Sequence, residues 1–229
     1  MAVFTYTKTT LLALHVSLLM CAESNAALTF YTNRTLFNNA ASGNLITEDF
    51  EENTFTGPAN SRLNSSSVGN GVVAGWIPQG IEFVNPSANS SDNDFIIYEG
   101  GTFGVPSASL SMINSAHLMR ITFQPGVTAV GFDLALYDGS SSFLDGTANI
   151  DVLGGIALIG SQTFTAGSAG PSFFGVIASG GDIIETVDIN GVGANVELVD
   201  NVTFNTPEPS SVGLIAMGCS FLCFRRRRS

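Results

Sequence analysis

Between residues 27 and 206 the chain consists of short apolar runs separated by clusters of Gly, Ser, Asn, Asp and Thr. Several runs alternate strictly. Over 118–124, Met119, Ile121 and Phe123 take one parity and Leu118, Arg120, Thr122 and Gln124 the other, which predicts a strand with the first set in a core. Pro125-Gly126 is expected to turn the chain. In the next run Val130, Phe132, Leu134 and Leu136 share one face, with Gly131, Asp133 and Tyr137 on the other. Further strands are predicted at 28–31, 44–50, 81–84, 95–98, 147–153, 156–162, 173–178, 183–190 and 196–204, with turns at Asp138-Gly139-Ser140 and Asp145-Gly146. One short helix is expected, capped by Thr32, running to about Ala41 and ended by Gly43. Residues 54–71 and 85–94 read as polar loops. About eleven strands, almost no helix and no internal repeat predict an all-β, two-sheet, jelly-roll-like sandwich.

Both ends break this pattern. Lys8 precedes an apolar run at 11–20, and Ser24-Asn25-Ala26 offers small residues for a signal peptidase, so 1–26 reads as a signal peptide. Cys21 raises a lipoprotein signal as the alternative; Met20 stands where a small residue would precede a lipidated cysteine. At the other end, Pro207-Glu208-Pro209 is followed by an apolar run at 212–224 and by Arg225, Arg226, Arg227 and Arg228. The prolines end a folded domain, the apolar run favours a helix in lipid, and four arginines stop translocation on the cytoplasmic side.

Motif, apolar run and basic end in this order resemble the PEP-CTERM sorting tail of bacterial exported proteins. The runs 127–133, Phe173-Phe174-Gly175-Val176 and Asp200-Asn201-Val202-Thr203-Phe204 are similar to recurrent elements of the extracellular β-sandwich domains that carry such tails. The resemblance implies that the membrane transpeptidase exosortase recognises Pro207, Glu208 and Pro209. It further implies transient inner-membrane anchoring through a short C-terminal membrane helix in 207–229, then the cell surface or extracellular matrix. It brings no activity with it. The thirteen residues 212–224 make a helix of roughly 20 Å against a hydrocarbon core of roughly 30 Å. Either residues 209–211 are drawn in while the arginines snorkel, or the anchoring is only transient.

Residues 27–206 form the expected extracytoplasmic domain, long enough for a sizeable core. It carries three arginines, no lysine and seventeen carboxylates, a net charge of −14. Such a surface excludes nucleic acid and anionic lipid as partners. It attracts calcium or a cationic matrix, or simply keeps the domain soluble. Cys21, Cys219 and Cys223 all fall outside the domain, so no disulfide can staple it.

The catalytic inventory is thin. His117 is the domain's one histidine, and neither a Gly-x-Ser-x-Gly elbow nor a His-Glu-x-x-His pair occurs. Glu82, Glu99, Glu185 and Glu197 are available to a glycosidase, without paired spacing. Trp76, Tyr98 and Tyr137 are the candidate stacking platforms for a sugar; the alternative for Trp76 is that its indole plugs the core. Two acids fall on apolar faces: Glu48 between Ile46 and Phe50, and Asp200 in parity with Leu198, Val202 and Phe204. A buried carboxylate needs a partner. Glu48, Asp200 and Asn201 are candidate ligands of a structural calcium ion joining the first and last strands, the alternatives being backbone hydrogen bonds, an arginine, or a bulge.

The expected function is that of an exported, non-catalytic envelope or extracellular-matrix protein associated with exopolysaccharide, processed by signal peptidase and exosortase. The alternative is a carbohydrate-binding module, calcium-stabilised, with a glycoside hydrolase third.

Overall fold

Strict alternation gives strands buried on one face, and strands of that kind need a second sheet to cover them. A computed structural model describes residues 27–52, 62–68, 72–86, 95–112, 118–137, 142–192 and 196–206. The expected signal peptide, the sorting tail with Pro207, Glu208, Pro209, Arg225, Arg226, Arg227 and Arg228, His117 and the turn at Asp138-Gly139-Ser140 lie outside these residues. In chain order the elements are β1 (Ala27–Tyr31), α1 (Arg34–Ala40), β2 (Leu45–Glu48), β3 (Arg62–Asn64), β4 (Ile81–Val84), β5 (Phe95–Tyr98), β6 (Ser109–Met112), β7 (Met119–Val127), β8 (Ala129–Tyr137), β9 (Gly146–Gly154), β10 (Ala157–Ala166), β11 (Ser172–Ser179), β12 (Ile184–Gly191) and β13 (Val196–Asn205). Among the described residues, no helix is long and apolar enough to cross a membrane.

The strands build the predicted all-β sandwich. One sheet has the order β1-β11-β8-β13-β6-β5, with β2 also paired to β13; the other has the order β10-β9-β12-β7-β4-β3. Every pairing is antiparallel. The chain changes sheet at β2–β3, β4–β5, β6–β7, β7–β8, β8–β9, β10–β11, β11–β12 and β12–β13, which is the jelly-roll-like character. β2 and β6 share one edge of β13: β6 pairs at Leu198 and Val199, and β2 at Val202 to Asn205.

The core between the sheets holds the residues that parity placed there, Met119, Ile121 and Phe123 from β7 and Val130, Phe132, Leu134 and Leu136 from β8. The first sheet is also covered on its outer face. Phe37 of α1 packs there with Ala129 and Phe173, and Val105 packs with Ala135, Tyr137 and Leu198. That second layer is why β8 is buried on both faces rather than one.

Four expectations change. Asn33, not Thr32, caps α1, its Oδ1 accepting the Leu36 amide at 3.0 Å. The helix reaches Ala41 as expected, but it is closed by the Ala41 N–H on the Phe37 carbonyl rather than by Gly43. Pro125-Gly126 sits inside β7, and the chain turns at Thr128 instead. β3 and β6 were not predicted. β3 is three residues within a polar stretch, and β6 interleaves Ser109 and Ser111 with Leu110 and Met112, all four buried.

Candidate functional site

The two edge strands β1 and β10 face each other across the sandwich without hydrogen bonding, since each pairs with one neighbour only. Toward one end they are drawn together: a Cβ on Gly160 of β10 would overlap the Leu28 side chain of β1, and Gly160 lacks one. Toward the other end they part. There a cavity of about 500 Å³ opens, lined by Phe30 and Tyr31 from β1 and Thr32 just after it, Gln162 to Thr165 from β10, and Ser172 to Phe174 from β11.

Aromatic packing builds its floor. Phe174 lies 5.2 Å from Phe132, 6.0 Å from Phe30 and 6.3 Å edge-on from Phe164, ring centroid to centroid. Behind it, on the outer face of the first sheet, Phe173 and Tyr31 lean on Phe37 at 5.5 and 6.0 Å. The Arg34 guanidinium sits 4.5 Å over the Phe173 ring. Gln162 has the inward parity of Phe164 yet is exposed, so its amide stands in the opening. Thr32 and Ser172 supply hydroxyls around it, while Thr163 and Thr165 have the opposite parity and the Thr163 hydroxyl donates to Asn149 at 3.3 Å on the outer face. Phe174 and Phe164 are covered, at 2% and 6% exposure, so the ring that the trough can offer to a C–H surface is that of half-buried Phe30, with neutral donors and acceptors at the rim and no carboxylate in the lining.

A second hollow, about 320 Å³, lies beside β3, β4 and β7 and is lined by Asn64, Ser65, Ser66, Gln79, Gly80, Ile81, Glu82, Thr122 and Gln124. Its one carboxylate is already engaged: Glu82 accepts from Arg62 and Asn64, both at 2.7 Å. It has no aromatic wall, so the trough is the better ligand site.

Of the three predicted platforms, Tyr98 and Tyr137 meet in one cluster and Trp76 lies apart. Tyr137 is 5% exposed beneath Val105 and cannot present a ring to a sugar. Tyr98 packs against the same cluster, half-buried, and burial beside Tyr137 raises its phenol above the ordinary range. Trp76 is half-buried before β4, which belongs to the other sheet. The trough residues were missed because β1 and β10 are far apart in sequence and meet only by stacking of the sheets. The cluster Phe173-Phe174 was the available signal.

Nor do the predicted calcium ligands share a face. The register sets Glu48 opposite Val202, on the core side, and Asp200 opposite Asp133, on the outer side. Between Asp200 and Thr203 the register shifts, and Asn201 takes φ 50°, so a bulge reverses the parity that put Asp200 with Val202 and Phe204. Asp200 accepts from the Ser107 hydroxyl and from the Asn201 amide at 2.5 Å, while Asn201 Nδ2 bridges Asp200 and Asp133 at 3.0 Å each. Arg34 closes this network on Asp133 at 3.0 Å. Glu48 accepts the Phe50 amide at 2.7 Å. Burial raises Glu48 to about 7 and Asp200 to about 6, opposed by those hydrogen bonds. Among the described residues, no three His, Cys, Asp or Glu side chains are grouped to hold a metal ion.

Of the carboxylates offered to a glycosidase, Glu197 is fully buried on β13. Its Oε1 accepts the Gly191 amide at 2.5 Å, its Oε2 has no partner among the described residues, and burial lifts it to about 7. Glu82 is tied as above. Glu185 and Glu99 are exposed, on β12 and after β5, in different sheets.

No protein-family model matches the chain, and no curated protein does. Among solved structures, the K2 cleaved adhesin domain of Lys-gingipain is similar at TM-score 0.40 and 13% identity, over 71% of this chain and 98% of that one. A carbohydrate-binding module from Clostridium stercorarium, in complex with cellobiose, is similar at TM-score 0.32 and 13% identity, over 55% and 93%. A family 29 carbohydrate-binding module complexed with mannohexaose is similar at TM-score 0.32 and 9% identity, over 72% and 92%.

Proposed function

We propose that the protein is an exported, non-catalytic carbohydrate-binding sandwich that holds a neutral polysaccharide in the β1–β10 trough, within an envelope or extracellular matrix. The trough itself carries the reading: a ring-floored opening with an amide and hydroxyls at its rim suits a sugar, which presents C–H faces and hydroxyls together. The charge of the domain favours a neutral or amino-bearing polymer over a polyanion. A binding rather than catalytic role is supported by the engaged or scattered states of Glu82, Glu99, Glu185 and Glu197. Sorting by exosortase and delivery to the surface rest on the tail from Pro207 to Arg228 and its resemblance.

Calorimetric titration of the exported protein against neutral glucans, mannans, xylans and amino-sugar polymers tests the reading. Saturable binding to one class, weakened about tenfold or more by Gln162→Ala through loss of a buried polar contact, is expected. Trp76→Ala should leave affinity unchanged. Absence of saturable binding across the set would defeat the ligand reading and leave a matrix component without a sugar site.

A further inference from the structure

Seven large apolar side chains are exposed among the described residues, and three of them gather at one end of the sandwich: Ile156 at 100%, Leu158 at 60% and Ile183 at 40%. Ile156 forms the tip of the β9–β10 turn beside Gly155, which takes φ 63°. Gly154 abuts the Ile183 carbonyl, and a Cβ on Gly126 would overlap the Ile183 side chain, so these turns touch. Both ends of the described domain are at this same pole. Ala27 pairs with Ser179, just before the 180–183 loop, and Asn205 holds the Thr128 and Ala129 amides at 2.9 Å each. Val192 is at the opposite end, bonded to Thr147 at the start of β9.

We propose that this pole is a bilayer-facing surface, with Ile156, Leu158 and Ile183 seated in the lipid interface while the tail is anchored. The proposal rests on the membrane-anchor reading of the tail. Residues 207–211 separate Thr206 from the apolar run, and five residues span at most about 17 Å when fully extended. Anchoring at 212–224 therefore keeps the pole within reach of the headgroup layer, and an exposed isoleucine at a turn tip gains by entering it. Asp182 and Glu185 stand at the same pole, which favours a zwitterionic surface over an anionic one. The β1–β10 trough opens away from this end, because Leu28 and Gly160 close the gap nearest the pole, and so remains open to a polymer outside the membrane.

The test uses the chain through Ser229, reconstituted into phosphatidylcholine vesicles with and without brominated acyl chains, which quench tryptophan near the interface. Each reporter is measured against the parent, whose one tryptophan is Trp76. The expected result is that Ile156→Trp loses most of its added emission in brominated lipid while Val192→Trp keeps it. Ser211→Trp reports the tail. Quenching of Ser211→Trp without Ile156→Trp would overturn the surface and leave the anchor. Quenching of neither would overturn the anchor and the surface together. Blue-shifted Ile156→Trp emission that bromine does not touch would place protein on the patch and also overturn the proposal.

Discussion

Gly131 of β8 and Gly175 of β11 stand directly opposite each other on the outer face of the first sheet, and together they leave a bare patch on which two phenylalanine rings lie. A Cβ on Gly131 would come within 2.7 Å of Phe173 Cζ and 3.1 Å of Phe37 Cε1; one on Gly175 within 2.8 Å of Phe37 Cδ2 and 2.9 Å of Phe173 Cε1. Those rings cannot easily retreat, since Phe37 is fully buried and Phe173 carries Arg34 on its face. Gly131→Ala should therefore cost about 1–3 kcal/mol through overpacking. Urea denaturation of Gly131→Ala, alone and combined with Phe37→Leu, measures it. A combined loss smaller than the sum of the single losses is expected, and strict additivity would refute the contact as the cause.

Arg34 binds α1 to the sheet through four contacts at once. It donates to Thr203 Oγ1 at 3.0 Å and to the Asn201 carbonyl at 3.2 Å, pairs with Asp133 at 3.0 Å and stacks on Phe173. A lysine ammonium has neither the planar fork nor the face for stacking. Arg34→Lys is expected to lose about 1–2 kcal/mol despite keeping the charge. The Phe173 ring lies on the outer face of the first sheet, away from the trough, so polysaccharide binding should change no more than with an exposed neutral substitution such as Ser168→Ala. A melt and a titration on the same preparation check both.

The parts of this fold that were legible in the sequence are those governed by local alternation. Met119, Ile121 and Phe123, and Val130 through Leu136 at every second position, reach the core as parity places them. What parity cannot reveal is a bulge. The run Leu198, Asp200, Val202 looks uniform, yet Leu198 packs on the outer face and Val202 in the core. Asn201, an asparagine able to take the left-handed region, was the one hint. Tyr137 was misjudged for a different reason. Its outer face would be solvent in a bare sandwich, but Val105, from the segment after β5, covers it. The trough was illegible because its walls are joined by sheet stacking, which leaves no periodic trace in either strand.

The proposed sorting role of residues 207–229 carries a prediction independent of the sandwich. Arg225, Arg226, Arg227 and Arg228 should hold the chain in the inner membrane until it is processed near Pro207, Glu208 and Pro209. Replacing all four with serine should release unprocessed protein into the periplasm. Intact mass spectrometry of the exported wild-type chain should find no peptide containing Arg225; finding one would exclude processing at the motif.

The buried acids make stability fall as pH rises. Glu48 and Glu197 are raised to about 7 and Asp200 to about 6, burial being the largest cause in each. The folded state therefore keeps these protons to a higher pH than the unfolded chain, whose carboxyls release theirs near 4. Their contribution is fully present below the unfolded values and is lost as pH climbs through the folded ones. For Glu197 alone the span from 4.5 to about 7 is worth about 3 kcal/mol. Thermal melts should accordingly give a higher Tm at pH 5 than at pH 8. Glu197→Gln, which keeps the shape and removes the titration, should flatten much of that difference and raise the Tm at pH 8. A calcium ion bridging Glu48 and Asp200 would act in the opposite sense, holding both ionised and stabilising the domain at pH 8. Equal melts at pH 8 in millimolar calcium and in chelator are expected from the hydrogen bonds that already occupy both carboxyls. A Tm raised by calcium and insensitive to Glu197→Gln would mean that the acids are metal ligands after all.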